Sequence, residues 1–425
     1  MLYAHEVQPN GLTVVVVPLP SVHRVVIEAH VRIGPRFERE LDNGVSHFLE
    51  HMLYRGTPSL PSAHEQALAF ETLGGTLGAA TYVDHGTLGI SVPGESYPAT
   101  LERFAEVVCE PIFTGIEVEK GIVREEILEG LEEDGTDVDP DNLARELSFP
   151  GHPLGFPITG TLAHLERMTV EQLRDHHRRH YTARNMVVTV AGPVDPSAVA
   201  ADVARVLGRL VPGEIPTSPP PPPATGPLFR FTRHSASQTE LRVTFRAPSE
   251  HDALEAATDM LLRVIDDGMS TRLYHRICDE LGLCYDVSAA YEAYADSGLF
   301  DVAASSEHAR APEVLSEILS LLATLAEHGP TSAELDKAKA RARWQLTEMR
   351  DDPAETASFF GLGYLTGVLR TPEERLESLL AVEREDARRA AETVFRPENL
   401  VVVAVGAAKK QARAALERRV AGFGR

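Results

Sequence analysis

The chain of 425 residues has little cysteine, with only Cys109, Cys278 and Cys284. An odd set of three thiols without C-x-x-C spacing indicates neither a disulfide framework nor a thiolate metal site. The reducing cytoplasm is therefore the expected compartment. No apolar run reaches the length of a membrane span, and the N-terminus has no signal-peptide pattern. We expect a protein that is neither exported nor bound to a membrane.

Basic side chains are also scarce relative to acidic ones. The sequence has 41 Lys and Arg against 63 Asp and Glu, which gives a net charge of -22. This balance argues against nucleic acid or an anionic membrane surface as the main partner, and it favours a basic or neutral one. An apolar content of 43% over this length indicates a globular protein with more than one domain.

A proline-rich segment, "PGEIPTSPPPPPATGP" at residues 212–227, divides the sequence almost in half. Its consecutive prolines, Pro219 to Pro223, favour an extended conformation and cannot join a helix or a central strand. We therefore predict an N-terminal domain at 1–211, a linker at 212–227 and a C-terminal domain at 228–425.

The two halves end in similar patterns, "YTARNMVVTVAG" from Tyr181 and "FRPENLVVVAVG" from Phe395. The offset is 395 minus 181, or 214 residues, and a helical segment precedes each pattern. Each half also begins with strand-like alternation, followed by long helical patterns. We predict an α+β fold of two homologous domains, each a mixed or antiparallel sheet with packed helices.

Two histidines and a carboxylate lie close together in "HFLEHM", as His47, Glu50 and His51. On a helix these positions, i, i+3 and i+4, project from one face. Two imidazoles and a third ligand from elsewhere suit a catalytic zinc site, and H-x-x-E-H is the inverted zinc-peptidase motif. An amphipathic helix whose histidines bond to backbone carbonyls is the alternative.

A second helical stretch, "GIEVEKGIVREEILEGLEEDG", offers carboxylates that could complete the ligand set. Glu119 and Glu126 are seven residues apart and lie on the same helical face. A solvated acidic helix is the alternative for this stretch.

These motifs resemble the pitrilysin/insulinase family of zinc peptidases, the inverzincins, and most closely its mitochondrial-processing-peptidase-like branch. "NGVSHFLEHMLYRGT" is similar to the zinc helix of the family and "EKGIVREEI" to its distal helix. "GHPLGFPITGT" and "GMSTRLYHRICDELGLCYDV" are further matches. The resemblance implies His47, His51 and Glu126 as ligands of one Zn²⁺, Glu50 as general base and Glu119 as a supporting carboxylate. It also implies a clamshell arrangement of the two domains.

The sequence departs from the family pattern in two places. Gly78 stands where the family usually has an asparagine near the scissile bond. In the second half, the family has an arginine seven residues before a tyrosine; Tyr285 is present, but Cys278 occupies the arginine position. Arg276 lies nearby, although two residues along a helix turn a side chain to another face. A partner subunit would be one source of the missing cation.

The repeat indicates what the second half has in place of the motif. Applied to His47, Glu50 and His51, the 214-residue offset leads to Leu261, Val264 and Ile265. Apolar residues at these positions predict a single metal site per chain.

Two other groups that contain histidine are not interpreted as metal sites. "DHHRRH", with His176, His177 and His180, is predicted to be a solvated helix face, because its arginines would oppose a divalent ion. Asp84 and His85 are predicted to lie in a hairpin turn.

Taken with the resemblance, the sequence predicts a zinc-dependent endopeptidase that hydrolyses basic or neutral peptides or unfolded segments. Residues 76–89 would bind the substrate by strand addition, and the Tyr285 hydroxyl would stabilise the oxyanion. One alternative is a zinc-binding subunit that is active only in a homodimer or heterodimer with a homologous partner. The other is a non-catalytic subunit for peptide binding or assembly.

Overall fold

The computed structural model describes residues 3–424. Its strands, in chain order, are β1 Ala4–Val7, β2 Thr13–Pro18, β3 Arg24–Val31, β4 Gly78–Thr81, β5 Gly86–Pro93, β6 Met186–Gly192, β7 Leu228–Arg233, β8 Thr239–Ala247, β9 Val287–Ala293, β10 Gly298–Ser306 and β11 Leu400–Gly406. Its α-helices are α1 Val45–Met52, α2 Ala63–Thr72, α3 Tyr97–Cys109, α4 Ile116–Glu129, α5 Pro140–Ser148, α6 Leu162–Arg167, α7 Val170–His180, α8 Pro196–Leu207, α9 Glu255–Ile265, α10 Ala311–His328, α11 Ser332–Glu348, α12 Pro353–Thr366, α13 Pro372–Ala381, α14 Arg384–Val394 and α15 Lys410–Ala421. None of these helices is long and apolar enough to cross a bilayer.

The strands form two mixed sheets. The first has the order β1-β2-β6-β3-β5-β4 and the second β7-β11-β8-β10-β9. In each sheet one pair is parallel, β2 with β6 and β7 with β11, while the other pairs are antiparallel. The predicted α+β fold with two sheet-and-helix domains is confirmed.

The internal repeat is visible at the level of elements. The two long buried strands, β6 and β11, begin at Met186 and Leu400, and the helices that precede them, α7 and α14, begin at Val170 and Arg384. Both differences, 400 minus 186 and 384 minus 170, equal the 214-residue offset of the sequence pattern. The same local order of helix and buried strand therefore recurs in each half.

The compact units differ from the contiguous domains 1–211 and 228–425 in one respect: each contains a segment from the other half. The first unit comprises the chain up to Glu129, Phe156–Pro219 and Leu346–Glu373. The second comprises Gly130–Gly155, Pro220–Gln345 and the chain from Glu374 onward. The proline-rich segment, 212–227, contains neither helix nor strand.

Hydrophobic packing explains the exchanged segment of the first unit. On α12, Ala357 and Phe360 are buried in one cluster with Val17 and Val187 of the first sheet. Because α12 covers apolar strand residues that would otherwise face water, it belongs to the unit that it covers.

The second unit has a corresponding arrangement around α5. Leu143 and Ala144 are buried against Val401 and Val403 of β11. Sequence periodicity identifies an amphipathic helix but not the sheet against which it packs, so the exchange was not predicted.

Candidate metal centre

The first turn of α1 is fixed by a buried carboxylate. Gly44, at the N-cap, has a φ of 90°, and its N–H donates to Glu38 Oε2 at 2.8 Å. The N–H of Ser46 donates to Glu38 Oε1 at 2.8 Å, and Asn43 Nδ2 donates to Oε2 at 2.9 Å. A carboxylate that accepts orphan N–H groups stabilises a helix start, so Glu38 sets where this eight-residue helix begins.

The histidines of "DHHRRH" support the same region from α7, and their predicted solvation is wrong. His176, His177 and His180 are all buried. His176 Nε2 lies 3.0 Å from Ser46 Oγ, and His177 Nε2 lies 2.9 Å from the carbonyl oxygen of Val108. Burial lowers the pKa of all three, that of His177 to about 4. The three histidines lie on the buried face of the helix, and Arg178 and Arg179 lie on its exposed face.

His47 and His51 turn their Nε2 atoms towards one carboxylate. His47 Nε2 lies 3.3 Å from Glu126 Oε1, and His51 Nε2 lies 3.5 Å from Glu126 Oε2. One ligand atom from each of the three residues can be chosen so that all lie within 4.8 Å of one another. Two donors that bind one tetrahedral Zn²⁺ are separated by about 3.4 Å, so this donor set fits the ion.

A further carboxylate holds the other side of the His51 ring. Glu119 Oε1 lies 2.9 Å from His51 Nδ1, and Arg55 Nη1 lies 3.4 Å from Glu119 Oε2. Glu119 is buried. Since histidine ligands of metals commonly donate their second N–H to a carboxylate, this contact is typical of a metal centre.

The charges at this centre are strongly coupled. Hydrogen bonds from His47 and His51 hold the pKa of Glu126 far below its usual range. Burial opposes protonation of His51, but the hydrogen bonds and charges of Glu126 and Glu119 outweigh it and raise its pKa. A divalent cation at the same place would meet the ionised carboxylate of Glu126.

Glu50 projects from α1 between the two histidines in sequence and contacts the first sheet. Its Oε2 accepts a hydrogen bond of 2.5 Å from Thr81 Oγ1, at the end of β4. Burial and the charge of Glu50 raise the pKa of Tyr54 to about 12, so that phenol keeps its proton. The candidate base therefore lies between the ligand helix and an edge strand.

Gly78 begins that edge strand and pairs with Gly89 of β5. Asp84 and His85 lie in the connection between β4 and β5, with Asp84 Oδ1 2.9 Å from His85 Nδ1. The predicted hairpin turn is confirmed.

The two residues predicted from the second half lie in the second unit. Tyr285 is 95% exposed. Arg276 Nε lies 2.9 Å from Glu317, and its Nη1 lies 2.9 Å from Glu280. Their catalytic roles stay predictions, and the guanidinium of Arg276 is already engaged by carboxylates of its own unit.

The repeat positions of the motif are apolar and buried. Leu261, Val264 and Ile265 lie on α9 and are at most 1% exposed. Within residues 3–424, the set of His47, His51 and Glu126 is the one group of three or more His, Cys, Asp or Glu residues with a suitable separation.

Three residues at this centre were not singled out from the sequence: Glu38, Arg55 and Thr81. Thr81 falls in the predicted strand region, but no spacing rule pairs it with Glu50, 31 residues earlier. Glu38 and Arg55 are charged residues near the motif, and their contacts depend on loops whose course periodicity does not predict.

The fold and the site define a two-domain α+β protein whose first unit has a candidate metal centre of two histidines and a glutamate. Residues 13–161 match the family model described as insulinase (peptidase family M16), and residues 167–342 match the one described as peptidase M16 inactive domain. The chain belongs to peptidase family M16.

Relatives in this family are named as zinc proteases. The chain is 32% identical over 392 residues to an uncharacterized zinc protease of Mycobacterium tuberculosis, covering 90% of this chain and 88% of the relative. It is 29% identical over 390 residues to the uncharacterized zinc protease YmxG of Bacillus subtilis, covering 91% and 94%.

Solved structures share the fold over nearly the full chain. A protease from Helicobacter pylori matches with a TM-score of 0.89 at 21% identity, covering 95% of this chain and 99% of that one. A peptidase M16 inactive domain from Pseudomonas fluorescens matches with a TM-score of 0.88 at 20% identity, covering 96% and 100%.

Proposed function

We propose that the chain is a zinc-dependent endopeptidase that cleaves peptides or unfolded segments. The observation that carries this proposal is the convergence of His47 Nε2 and His51 Nε2 on the carboxylate of Glu126, with Glu50 on the same short helix. The names of the relatives support it, since both are named as uncharacterized zinc proteases.

Each side chain then has a defined task. His47, His51 and Glu126 would hold the zinc, and Glu119 would orient the ring of His51. Bound zinc would lower the pKa of a coordinated water and polarise the scissile carbonyl. Glu50 accepts the proton of the attacking water and later delivers it to the leaving amine. Tyr285 is proposed to donate a hydrogen bond to the oxyanion.

The substrate is proposed to be an extended peptide that adds to the first sheet. β4 is an edge strand, and Thr81 at its end contacts Glu50. Strand addition uses main-chain hydrogen bonds, so it tolerates many sequences. The net charge of -22 favours basic or neutral peptides.

The test is hydrolysis of quenched fluorescent basic peptides by the purified chain, before chelation, after it and after zinc is restored. We expect cleavage before chelation, none after chelation, and cleavage again when zinc is restored. Glu50→Gln should abolish hydrolysis but still bind one zinc per chain, while Glu125→Gln, exposed on α4, should behave as the wild type. Full activity in Glu50→Gln would refute the proposed mechanism.

A second candidate is a zinc-binding subunit that needs a homologous partner. It is favoured by Cys278 in the arginine position and by the ion pairs that engage Arg276 with Glu317 and Glu280. In this case the chain alone would bind zinc without cleaving peptides, and Cys278→Arg would restore activity. Sedimentation of the chain alone and with a homologous subunit would identify the active assembly.

A further inference from the structure

The contact between Thr81 and Glu50 links the candidate base to the sheet edge. The 2.5 Å separation of Thr81 Oγ1 and Glu50 Oε2 is typical of a hydroxyl that donates to a carboxylate. A threonine hydroxyl has one proton, so this bond commits it to one oxygen of Glu50. The hydroxyl of Thr81 therefore favours one orientation of the carboxylate.

Thr81 also lies on the edge strand along which a peptide substrate is proposed to bind. Thr81 is the last residue of β4, where it pairs with Gly86, and β4 forms the edge of the six-stranded sheet. Only one side of the strand is hydrogen-bonded to β5, so its other side is the one that a substrate strand would use. The same strand would thus place the peptide and hold the base.

We propose that Thr81 is a positioning residue that orients Glu50 relative to a peptide bound along β4. This role rests on the proposed peptidase function. The proton of Thr81 stays on its hydroxyl throughout; the proton that moves passes from water to Glu50 and on to the amine.

Two substitutions separate the hydroxyl from the shape of the side chain. Thr81→Val keeps the β-branched shape that suits a strand but removes the donor, whereas Thr81→Ser keeps the donor and removes the methyl group. If the hydroxyl matters, Thr81→Val should lose activity and Thr81→Ser should keep it. If strand packing matters, Thr81→Ser should lose more activity than Thr81→Val. Thr13→Val, on β2 of the same sheet, controls for the same change at a strand position outside the region proposed to bind substrate.

The experiment measures kcat, KM, zinc affinity and thermal unfolding for the wild type and these variants. For Thr81→Val we expect kcat to fall roughly 10- to 100-fold with KM nearly unchanged, because a misdirected base slows the chemical step. Zinc affinity should equal that of the wild type. Thr81→Ser should keep most of the wild-type kcat, and Thr13→Val all of it.

Three results would overturn the role of Thr81. The first is a wild-type kcat in Thr81→Val, and the second is a loss in Thr81→Ser as large as in Thr81→Val. The third is a loss of zinc affinity or of folded protein in Thr81→Val that fully accounts for its lower activity. A wild-type chain without zinc-dependent hydrolysis would instead refute the proposed function, and with it the role of Thr81; the two failures are therefore distinguishable.

Discussion

Glu119 Oε1 lies 2.9 Å from Nδ1 of His51, while Nε2 of the same ring lies 3.5 Å from Glu126. The ring is thus held from both sides by carboxylates of one helix, α4. Arg55, 3.4 Å from the other oxygen of Glu119, balances part of this negative charge. This chain of contacts orients the ring of His51.

We expect Glu119→Gln to weaken zinc binding by roughly 10- to 100-fold, because it replaces the carboxyl group that contacts Nδ1 of the His51 ring. Competition against a chelator of known affinity measures this directly, without an assay of activity. Circular dichroism of the variant shows whether the fold persists.

Glu125→Gln is the matched control for this change. Glu125 lies on the same helix but is exposed, so its substitution should leave zinc affinity unchanged. Equal affinities in the wild type and Glu119→Gln would show that Glu119 does not support the site.

The start of α1 should be intolerant of any side chain at Gly44. Its φ of 90° is unfavourable for other residues, and a Cβ would lie 2.5 Å from the carbonyl oxygen of Thr159. We expect Gly44→Ala to lower the free energy of unfolding by about 2 kcal/mol or more and to weaken zinc binding. Urea denaturation and chelator competition measure the two effects.

Gly121, inside α4, should by contrast tolerate a side chain. A Cβ at this position would have no atom within 4 Å. Since alanine favours a helix over glycine, Gly121→Ala should raise the free energy of unfolding by about 0.5–1 kcal/mol and leave zinc binding intact. If both variants were equally stable, the close contact at Gly44 would be relieved by movement of the Thr159 loop.

The buried histidines of α7 predict acid sensitivity. An unfolded histidine titrates near pH 6.5, whereas burial lowers the pKa of His177 to about 4. Between these values the unfolded chain binds the proton first, so stability is full above pH 6.5 and is lost as the pH falls towards 4. His177 alone would account for a loss on the order of 3 kcal/mol.

Urea denaturation from pH 8 to pH 4.5, in the presence of a chelator to remove any effect of bound metal, measures this loss. His177→Gln, which can still donate to Val108, should be less sensitive to acid than the wild type. His64→Gln, exposed on α2, should keep the wild-type slope. Identical slopes for all three proteins would contradict an uncharged His177 in the folded state.

Local features of this fold were predictable from the sequence. The helix that carries His47 and His51, the hairpin at Asp84 and His85, and the repeated strands follow from spacing over fewer than about 15 residues. Such patterns depend mainly on neighbouring residues, and the structure reproduces them.

Features that depend on distant contacts were not predictable. The neighbouring arginines led to the prediction of a solvated face for His176, His177 and His180, and sequence alone does not show which face of a polar helix meets the core. The Thr81 contact with Glu50 depends likewise on how a strand and a helix meet in space. The roles of Tyr285 and Arg276 came from the family resemblance alone and stay predictions.

The exchanged helix α12 has a consequence for the synthesis of the protein. The unit that carries His47 and His51 also includes residues 346–373, more than 100 residues beyond the proline-rich segment 212–227. A ribosome that has completed the first half of the chain has therefore not yet made the helix that covers Val17 and Val187. This unit can become fully folded only after residues 346–373 have been made, so a shortened chain that stops at the linker would expose apolar strands and tend to aggregate.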